Sequence, residues 1–560
     1  MTADVRPAAV TRPVGLPARL VGLGSVFGKS VRDGRRGALV VGGLASIMMF
    51  VGAAALAAEW STAEQRRALL ASIDLLPVAL KGLLGDPIRI DTLGGFLSWR
   101  FGNILPVMIG VWSVMTLSGT LAIEARRGSL DLLAATPVSR RRIALEKVLA
   151  HVALVALAML AASVAATVAG AALGTVPGDE IPFVNALGHF TLTGLIILAA
   201  GLTAFAVAPI IGRGRAGGLG AIVLFGGYLV LSYRSVATAL EAIQPLSWYA
   251  WTAGHRPLAG QWDWPPVLLL AAVCVALLAA GIVAFDRRDI GGSLAADRYR
   301  LPGLPVGTRN PFTRQLGDRT GAAIGAGIGI GLYGGLIASS ADAFIESLSA
   351  MPGIDELIAR LYPGVDITEP TGILQLAFFA FGTVLIAFAA AAFVAGWASD
   401  ETEDRLDFLL STPRRRMGWF LAGAAGVYAA IVLAVAIAVL VIAAGVISAG
   451  GDVGGLAGGG VVLALFGAAF AGLGLAVGGL GRPAQAGVVT GALAVGSYLL
   501  ALLGNALQLP DWIVDLSLNE HVGQPLAGIY DEVGLIAMIG LAIGGPIVGA
   551  LGFRARDIQR

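Results

Sequence analysis

Charge is scarce in this chain. Only 13% of its 560 residues are Asp, Glu, Lys or Arg, against 57% hydrophobic, and the mean hydropathy is +0.82. Soluble domains carry about 25% charge, so a soluble globular protein is excluded and a polytopic membrane protein is expected. Cysteine is reduced to Cys274, inside an apolar run, which removes a disulfide framework and a thiolate metal site. The four histidines, His151, His189, His255 and His521, have no second ligand at metal spacing. H-E-x-x-H and G-x-S-x-G are both missing, so metal hydrolysis and serine-nucleophile chemistry have no support. The nearest approach to a phosphate-cradling loop is GLGSVFGKS at 22–30, but Leu23 stands where G-x-x-x-x-G-K-S needs glycine. No catalytic, cofactor or metal site is expected in this chain.

What is present is length of hydrocarbon. A spanning helix needs about 20 mostly apolar residues, and twelve such runs occur: roughly 37–58, 102–123, 143–172, 183–210, 217–240, 265–285, 320–340, 372–399, 417–448, 455–480, 484–507 and 533–553. With the N-terminus inside, the inner segments hold 30 of the 38 Lys and Arg residues. That is the positive-inside bias of one orientation, with both termini cytoplasmic and a multi-pass chain in the cell membrane. The first run follows a basic tail and is too long for a signal-peptide core, so it is expected to stay as a helix. The outer loops 59–101 and 341–371 each have room for an interfacial helix, and DLLPVALKGLLG (74–85) has the spacing for one.

The chain repeats itself. SVFGKSVRDGRRG (25–37) lines up with NPFTRQLGDRTGA (310–322), Gly212-Arg213 with Gly481-Arg482, PLAGQWDW (257–264) with PLAGIYDE (525–532), and AFDRRDI (284–290) with GFRARDI (552–558). The matches keep their order, so the expected fold is an all-α polytopic membrane protein of twelve transmembrane helices in two six-helix repeats. An even number of spans per half makes the repeats parallel. The domain reading is a cytoplasmic tail at 1–36, a first half at 37–290, a Gly- and Pro-rich linker at 291–309 and a second half at 310–560.

One repeated cassette lies between the second and third runs of each half: SLDLLAATPVSRRR (129–142) and RLDFLLSTPRRR (405–416). Glu124, Arg126 and Arg127 close the second span. Leu130, Asp131, Leu132 and Leu133 then make a short helix with an apolar face, and Thr136-Pro137 offers a cap and first turn for the third span. Arg140 follows at the bilayer surface, and Arg142 and Glu146 are spaced to pair. In the second copy the corresponding residues are Asp400, Glu401, Arg405, Leu406, Asp407, Phe408, Leu409, Thr412, Pro413 and Arg414. A short helix held between two spans is a lever whose apolar face can seat in a partner's groove. A surface-lying connector with ordinary positive-inside arginines is the plainer reading, and the doubling at equivalent places weighs against it. The copies differ in charge: five Arg against two carboxylates in 124–142, four Arg against five in 400–416. Unequal docking of the two copies follows if that field matters.

Six helices per half, a basic amphipathic element before the first, and this cassette resemble the permease subunits of ABC-2 type exporters. The double-length form with F-x-x-R-D-I endings is similar to the fused permeases of antibiotic exporters of the polyketide (tetronasin-type) group. That resemblance implies an ABC-2, type V exporter-like transmembrane domain. It implies a coupling helix in each cassette, over Glu124 to Arg142 and Asp400 to Arg416, contacting one of two separate ABC ATPase subunits. Elbow helices are implied at about 16–35 and 305–319, and re-entrant outer helices at Trp248 to Pro266 and Leu516 to Asp531. ATP and Mg2+ would sit on the partner subunits, one copy of this chain would serve each complex, and no nucleic acid is involved.

Polar residues within apolar runs are the guide to a path for cargo. Asn185, His189 and Thr193 share one helix face, lining a cavity or, as the favoured alternative, bonding a neighbouring helix. Tyr233 and Arg234 lie at the outer end of the fifth run, where an arginine more often snorkels than binds cargo. Tyr228 is one turn deeper and matches Tyr498. Gly321, Gly325 and Gly329, and Gly474 with Gly478, are expected at helix contacts. The few fixed charges suit an amphiphilic or hydrophobic compound. The rival readings are a proton-coupled drug transporter, which needs buried carboxylates, and a non-transporting membrane scaffold or sensor.

Overall fold

The computed structural model describes residues 25–74, 87–120, 139–233, 238–287, 310–349, 365–402, 405–411, 415–504 and 509–556. Among them there is no strand, only the isolated bridges Arg256–Gln261 and Gln524–Ile529. Eleven helices are long and apolar enough to cross a membrane, and a bent pair makes a twelfth span. The protein is an all-α, multi-pass membrane protein.

The first half runs α1 (Val26–Glu59), the bent pair α2 (Leu93–Phe101) and α3 (Ile104–Gly119), α4 (Arg140–Leu173), α5 (Phe183–Ile211), α6 (Arg213–Tyr233) and α7 (Trp264–Asp286). The second half runs α8 (Pro311–Ser339), α9 (Pro370–Leu374), a π-helical turn (Gln375–Phe379), α10 (Ala380–Thr402), the short α11 (Leu406–Leu410), α12 (Arg416–Ser448), α13 (Leu456–Gly479), α14 (Pro483–Gly504) and α15 (Glu532–Ala555). Each half packs its first span on its third, its second on its fifth and its fourth on its sixth.

Three sequence expectations change here. The second span begins at Leu93 rather than near 102, and α2 and α3 meet at 51° across Gly102-Asn103. Arg100 and the Gly-Asn break disguised α2 as loop, because a charge inside a span reads as its end. The second half interrupts the corresponding span with the π-turn at Gln375–Phe379. Such turns mark functional places in helices. Separate elbow helices do not appear in the described residues: the basic segments after Ser25 and Asn310 run unbroken into α1 and α8. Both of those helices start on a side-chain cap, Ser25 accepting from the Gly28 N–H at 3.0 Å and Asn310 from the Thr313 N–H at 2.9 Å.

The glycine zipper is also on another face. Side chains added at Gly321, Gly325 or Gly329 would meet open space. Gly327 and Gly331 instead press on the backbone of Ala434 and Ala438 in α12, and Gly335 on Gly445. Lipid gives helices no hydrophobic drive toward each other, so such close backbone approach is what holds α8 on α12. Gly474 and Gly478 do sit at contacts, against Ala486 and Thr490 of α14 and Trp397 of α10. The interfacial helix expected at 74–85 lies outside the described residues; a neighbouring one occupies Ala63–Asp74.

Candidate functional site

The cassette is visible in the second half. Asp400 and Glu401 end α10, Arg405 stands at the N-cap of α11, and α11 runs through Leu406, Asp407, Phe408 and Leu409. Leu406 is 1% exposed and anchors the short helix in the core, while Phe408 is 81% exposed and points away from it. Thr412, Pro413 and Arg414 lie outside the described residues, as do Glu124, Arg126, Arg127, Leu130, Asp131, Leu132, Leu133, Thr136 and Pro137 of the first copy. Arg140 is the first residue of α4. The cap of α4 is Ser139, whose hydroxyl accepts from the Arg142 N–H at 3.3 Å, rather than Thr136.

The two acids at the head of the second cassette face inward. Asp400, 2% exposed, accepts from Arg314 at 2.8 Å and Gln315 at 2.7 Å, both in the first turns of α8. Glu401 accepts both arms of the Arg556 guanidinium at 2.6 Å, at the end of α15. Arg556 also donates to the Gly479 carbonyl at 3.0 Å and lies 5.1 Å over the Phe553 ring, which stacks on Trp419 at 5.5 Å. In the second half the Phe-x-x-Arg ending thus bolts the sixth span to the head of the cassette. Arg288 of the first copy lies outside the described residues. Arg141 reaches Asp286 at the end of α7 at 2.7 Å, and Arg142 pairs with Glu146 at 2.7 Å as the spacing predicts. Glu146 also accepts the Phe27 N–H at 3.0 Å, a carboxylate at the positive end of α1. Among the described residues the start of α4 is thus tied to spans one and six of the first half, and the end of α10 to spans one and six of the second.

The second feature is a cavity of about 210 Å³ between the halves. Trp99, Arg100, Asn103 and Tyr228 line it from the first half, and Tyr333, Ala377, Phe381 and Tyr498 from the second. Both interruptions of the second spans open onto it. Phe225 joins the walls, stacked on Phe381 at 6.5 Å and edge-on to Tyr333 at 6.1 Å.

Two family models divide the chain: one described as an ABC-2 family transporter protein matches residues 25–290, and one for the C-terminal domain of the multidrug efflux system permease Rv1217c matches 309–554. A multidrug efflux system permease protein, Rv1217c of Mycobacterium tuberculosis, is 26% identical over 512 residues, covering 88% of this chain and 87% of that protein. Residues 25–290 match the ABC-2 transporter family, and the findings together support an ABC-2 type multidrug permease.

Within this ABC-2 permease the predicted path residues separate. Tyr228 and Tyr498 come together at the central cavity. His189 and Thr193 do not reach it. They line a pocket of about 30 Å³ inside the first half with Asn103, Tyr249 and His255, the scale of one or two waters. The Thr193 hydroxyl donates to the His189 carbonyl at 3.1 Å, and Asn185 is outside that lining. Tyr233 ends α6 with its side chain undescribed, and Arg234 is outside the described residues. Trp99, Arg100, Asn103, Tyr333 and Phe381 escaped the sequence reading. The available signal was Gly102-Asn103 interrupting an otherwise apolar stretch.

A duplicated hairpin lies between the fifth and sixth spans of each half of the permease. Pro257–Ala259 and Pro525–Ala527 each form a 3-10 turn ended by a left-handed glycine, Gly260 at φ 80° and Gly528 at φ 74°. These occupy the two stretches where re-entrant helices were expected, with short helices at Trp248–Trp251 and Glu520–Val522 beside them. The histidines at their bases differ. Burial pulls His255 below its ordinary value, against the hydrogen bond its ring N–H donates to the Asp263 carbonyl. Burial also opposes charge on His521, but the Asp531 carboxylate at 3.0 Å and the Asp515 carbonyl raise it overall. Arg66 and Asp179 form an ion pair and are 1% and 2% exposed. Asp179 also accepts the N–H groups of Leu93, Thr175 and Val176 at 2.8–3.0 Å, fixing the start of α2.

Proposed function

We propose that this chain is the membrane-spanning subunit of an ATP-driven exporter of amphiphilic or hydrophobic compounds. Separate ABC ATPase subunits, carrying ATP and Mg2+, dock on the two cassettes from the cytoplasm, where both termini lie. The observation that carries the reading is α11: a short helix anchored by Leu406, presenting Phe408 at 81% exposure, and joined through Asp400 and Glu401 to the ends of α8 and α15. An aromatic that exposed on an anchored helix suits a partner's groove. Motion of the docked subunit then passes through the ion pairs into spans one, two, three and six. One chain supplies both halves, so one copy serves each complex, and the aromatic cavity between the halves receives cargo. The name of the Mycobacterium tuberculosis relative, a multidrug efflux permease, agrees with such cargo.

A proton-coupled carrier needs a carboxylate free to titrate within the membrane. Among the described residues the buried carboxylates are Asp179, in the loop between α4 and α5, and Asp400, in the last turn of α10, and both are in arginine pairs. The test is co-expression with the candidate ATPase subunit. Retention on the wild-type permease, lost in Phe408→Asp combined with Leu132→Asp, together with ATP-dependent uptake into inverted vesicles, is expected. Efflux that persists after ATP depletion while a proton gradient remains would refute the reading.

A further inference from the structure

Arg100 has no evident structural task. On α2 the other eight residues, Leu93 to Trp99 and Phe101, are all buried in packing, and Arg100 alone carries charge. It lies about 10 Å along the helix from Leu93, and its side chain lines the central cavity. Among the described residues no carboxylate lines that cavity and none forms an ion pair with Arg100. Cationic side chains inside a membrane protein normally pair with an acid or a carbonyl, because an unpaired charge away from bulk water is costly. The repeat offers no second charge. Gly95 and Gly372 both press on the carbonyl of the preceding loop, and that match sets Ala377 against Arg100. Ala377 also lines the cavity.

Around this single cation the walls are aromatic and hydroxylic. Phe381 and Tyr333 line the cavity, edge to face with centroids 5.7 Å apart, and the Tyr228 and Tyr498 side chains border the same space. We propose that Arg100 is the counter-ion site for cargo, selecting amphiphiles that carry an acidic group on an aromatic or apolar body. A guanidinium holds a carboxylate or phosphate by two parallel hydrogen bonds, and the ring walls hold the body by stacking. This rests on the central cavity being the cargo site, and it adds the chemical class of the cargo.

The experiment is calorimetric binding to the purified permease in nanodiscs of zwitterionic lipid, with empty discs as reference. The probes are 1-naphthaleneacetic acid and its neutral near-isostere 1-naphthaleneacetamide, at a pH where the acid is ionised. Wild type is expected to bind the acid about 10-fold or more tighter than the amide, as charge-assisted pairing requires. Arg100→Gln should bring the acid down to the amide's affinity and leave the amide unchanged, and Arg100→Lys should restore part of the preference. Equal wild-type affinities, or an acid preference that survives Arg100→Gln, overturns the proposal. The wild-type comparison needs no variant, so a misfolded Arg100→Gln does not protect it. Repeating the titration with phosphatidylglycerol in the discs separates cargo from lipid. A preference kept there supports cargo, and one abolished there assigns Arg100 to a lipid headgroup and overturns it. Binding is read without ATP, so failure of ATP-driven transport and failure of acid selection are distinguishable.

Discussion

Replacing Glu401 by Gln removes the charge from a clamp that joins the head of the second cassette to the last span. The fork is bidentate at 2.6 Å, with side chains 12% and 16% exposed. Breaking a fully buried pair costs about 3–5 kcal/mol. The residual exposure lets water screen the orphaned arginine, so about 2 kcal/mol is expected here. Arg556→Gln should cost more, since the Gly479 carbonyl loses its donor and Phe553 its cation. The double variant should cost less than the two singles together, by about 1–2 kcal/mol, as partners in one network do. The losses are measured as thermal unfolding of the purified permease in nanodiscs. The same variants are then reconstituted with the ATPase subunit, and ATP hydrolysed per molecule moved is counted. If the clamp transmits motion, hydrolysis continues while transport per ATP falls. Additive stability losses, or an unchanged ratio in both singles, would refute the reasoning.

Valine at Gly327 or Gly331 should push α8 off α12 and cost about 1–3 kcal/mol by overpacking, whereas valine at Gly321, Gly325 or Gly329 should be tolerated; thermal melts of the five variants check this. The hairpin at Glu520–Ala527 should respond to pH in both directions. His521 is raised, so its contribution is complete below its ordinary 6.5 and is lost as pH rises through the folded value. Asp531, which burial raises but the Gly534 N–H and His521 lower overall, contributes above its ordinary 3.8 and loses that as pH falls through the folded value. Hydrogen exchange across 520–531, corrected for intrinsic rates, should therefore speed up on raising pH past neutrality, and His521→Ala should abolish that change. Arg66→Met leaves Asp179 buried without its cation and should cost about 3–5 kcal/mol, read as lost thermal stability. Asp179 is held low by Arg66 and three backbone N–H groups against the burial that raises it, so its contribution is lost only as pH falls through that lowered value.

Much of the architecture was legible because hydrocarbon thickness imposes length. Eleven of the runs found by composition correspond to long helices, and the twelfth is the bent span. The repeated Phe-x-x-Arg endings could be seen, but not the bond of Arg556 in the second to Glu401, since residues 155 positions apart carry no local sign of pairing. Tyr228 and Tyr498 were found through the repeat and meet at one cavity, while His189 and Thr193 share the right face of α5 and look into a different, water-sized space. Arg100 was counted among loop cations because a charge within a greasy stretch looks like its end.

The sequence by itself determined how many stretches are long and apolar enough to cross a membrane, that its motifs recur in the same order, and where the repeated cassette lies. Those follow from transfer free energy and from local order, which act on contiguous residues. Tertiary structure decided which of the interleaved glycine series in α8 touches α12, which acids of the second cassette turn inward, and which side chains border the space between halves. A helix presents several faces at the same spacing, and only the neighbour that packs against one of them makes the choice.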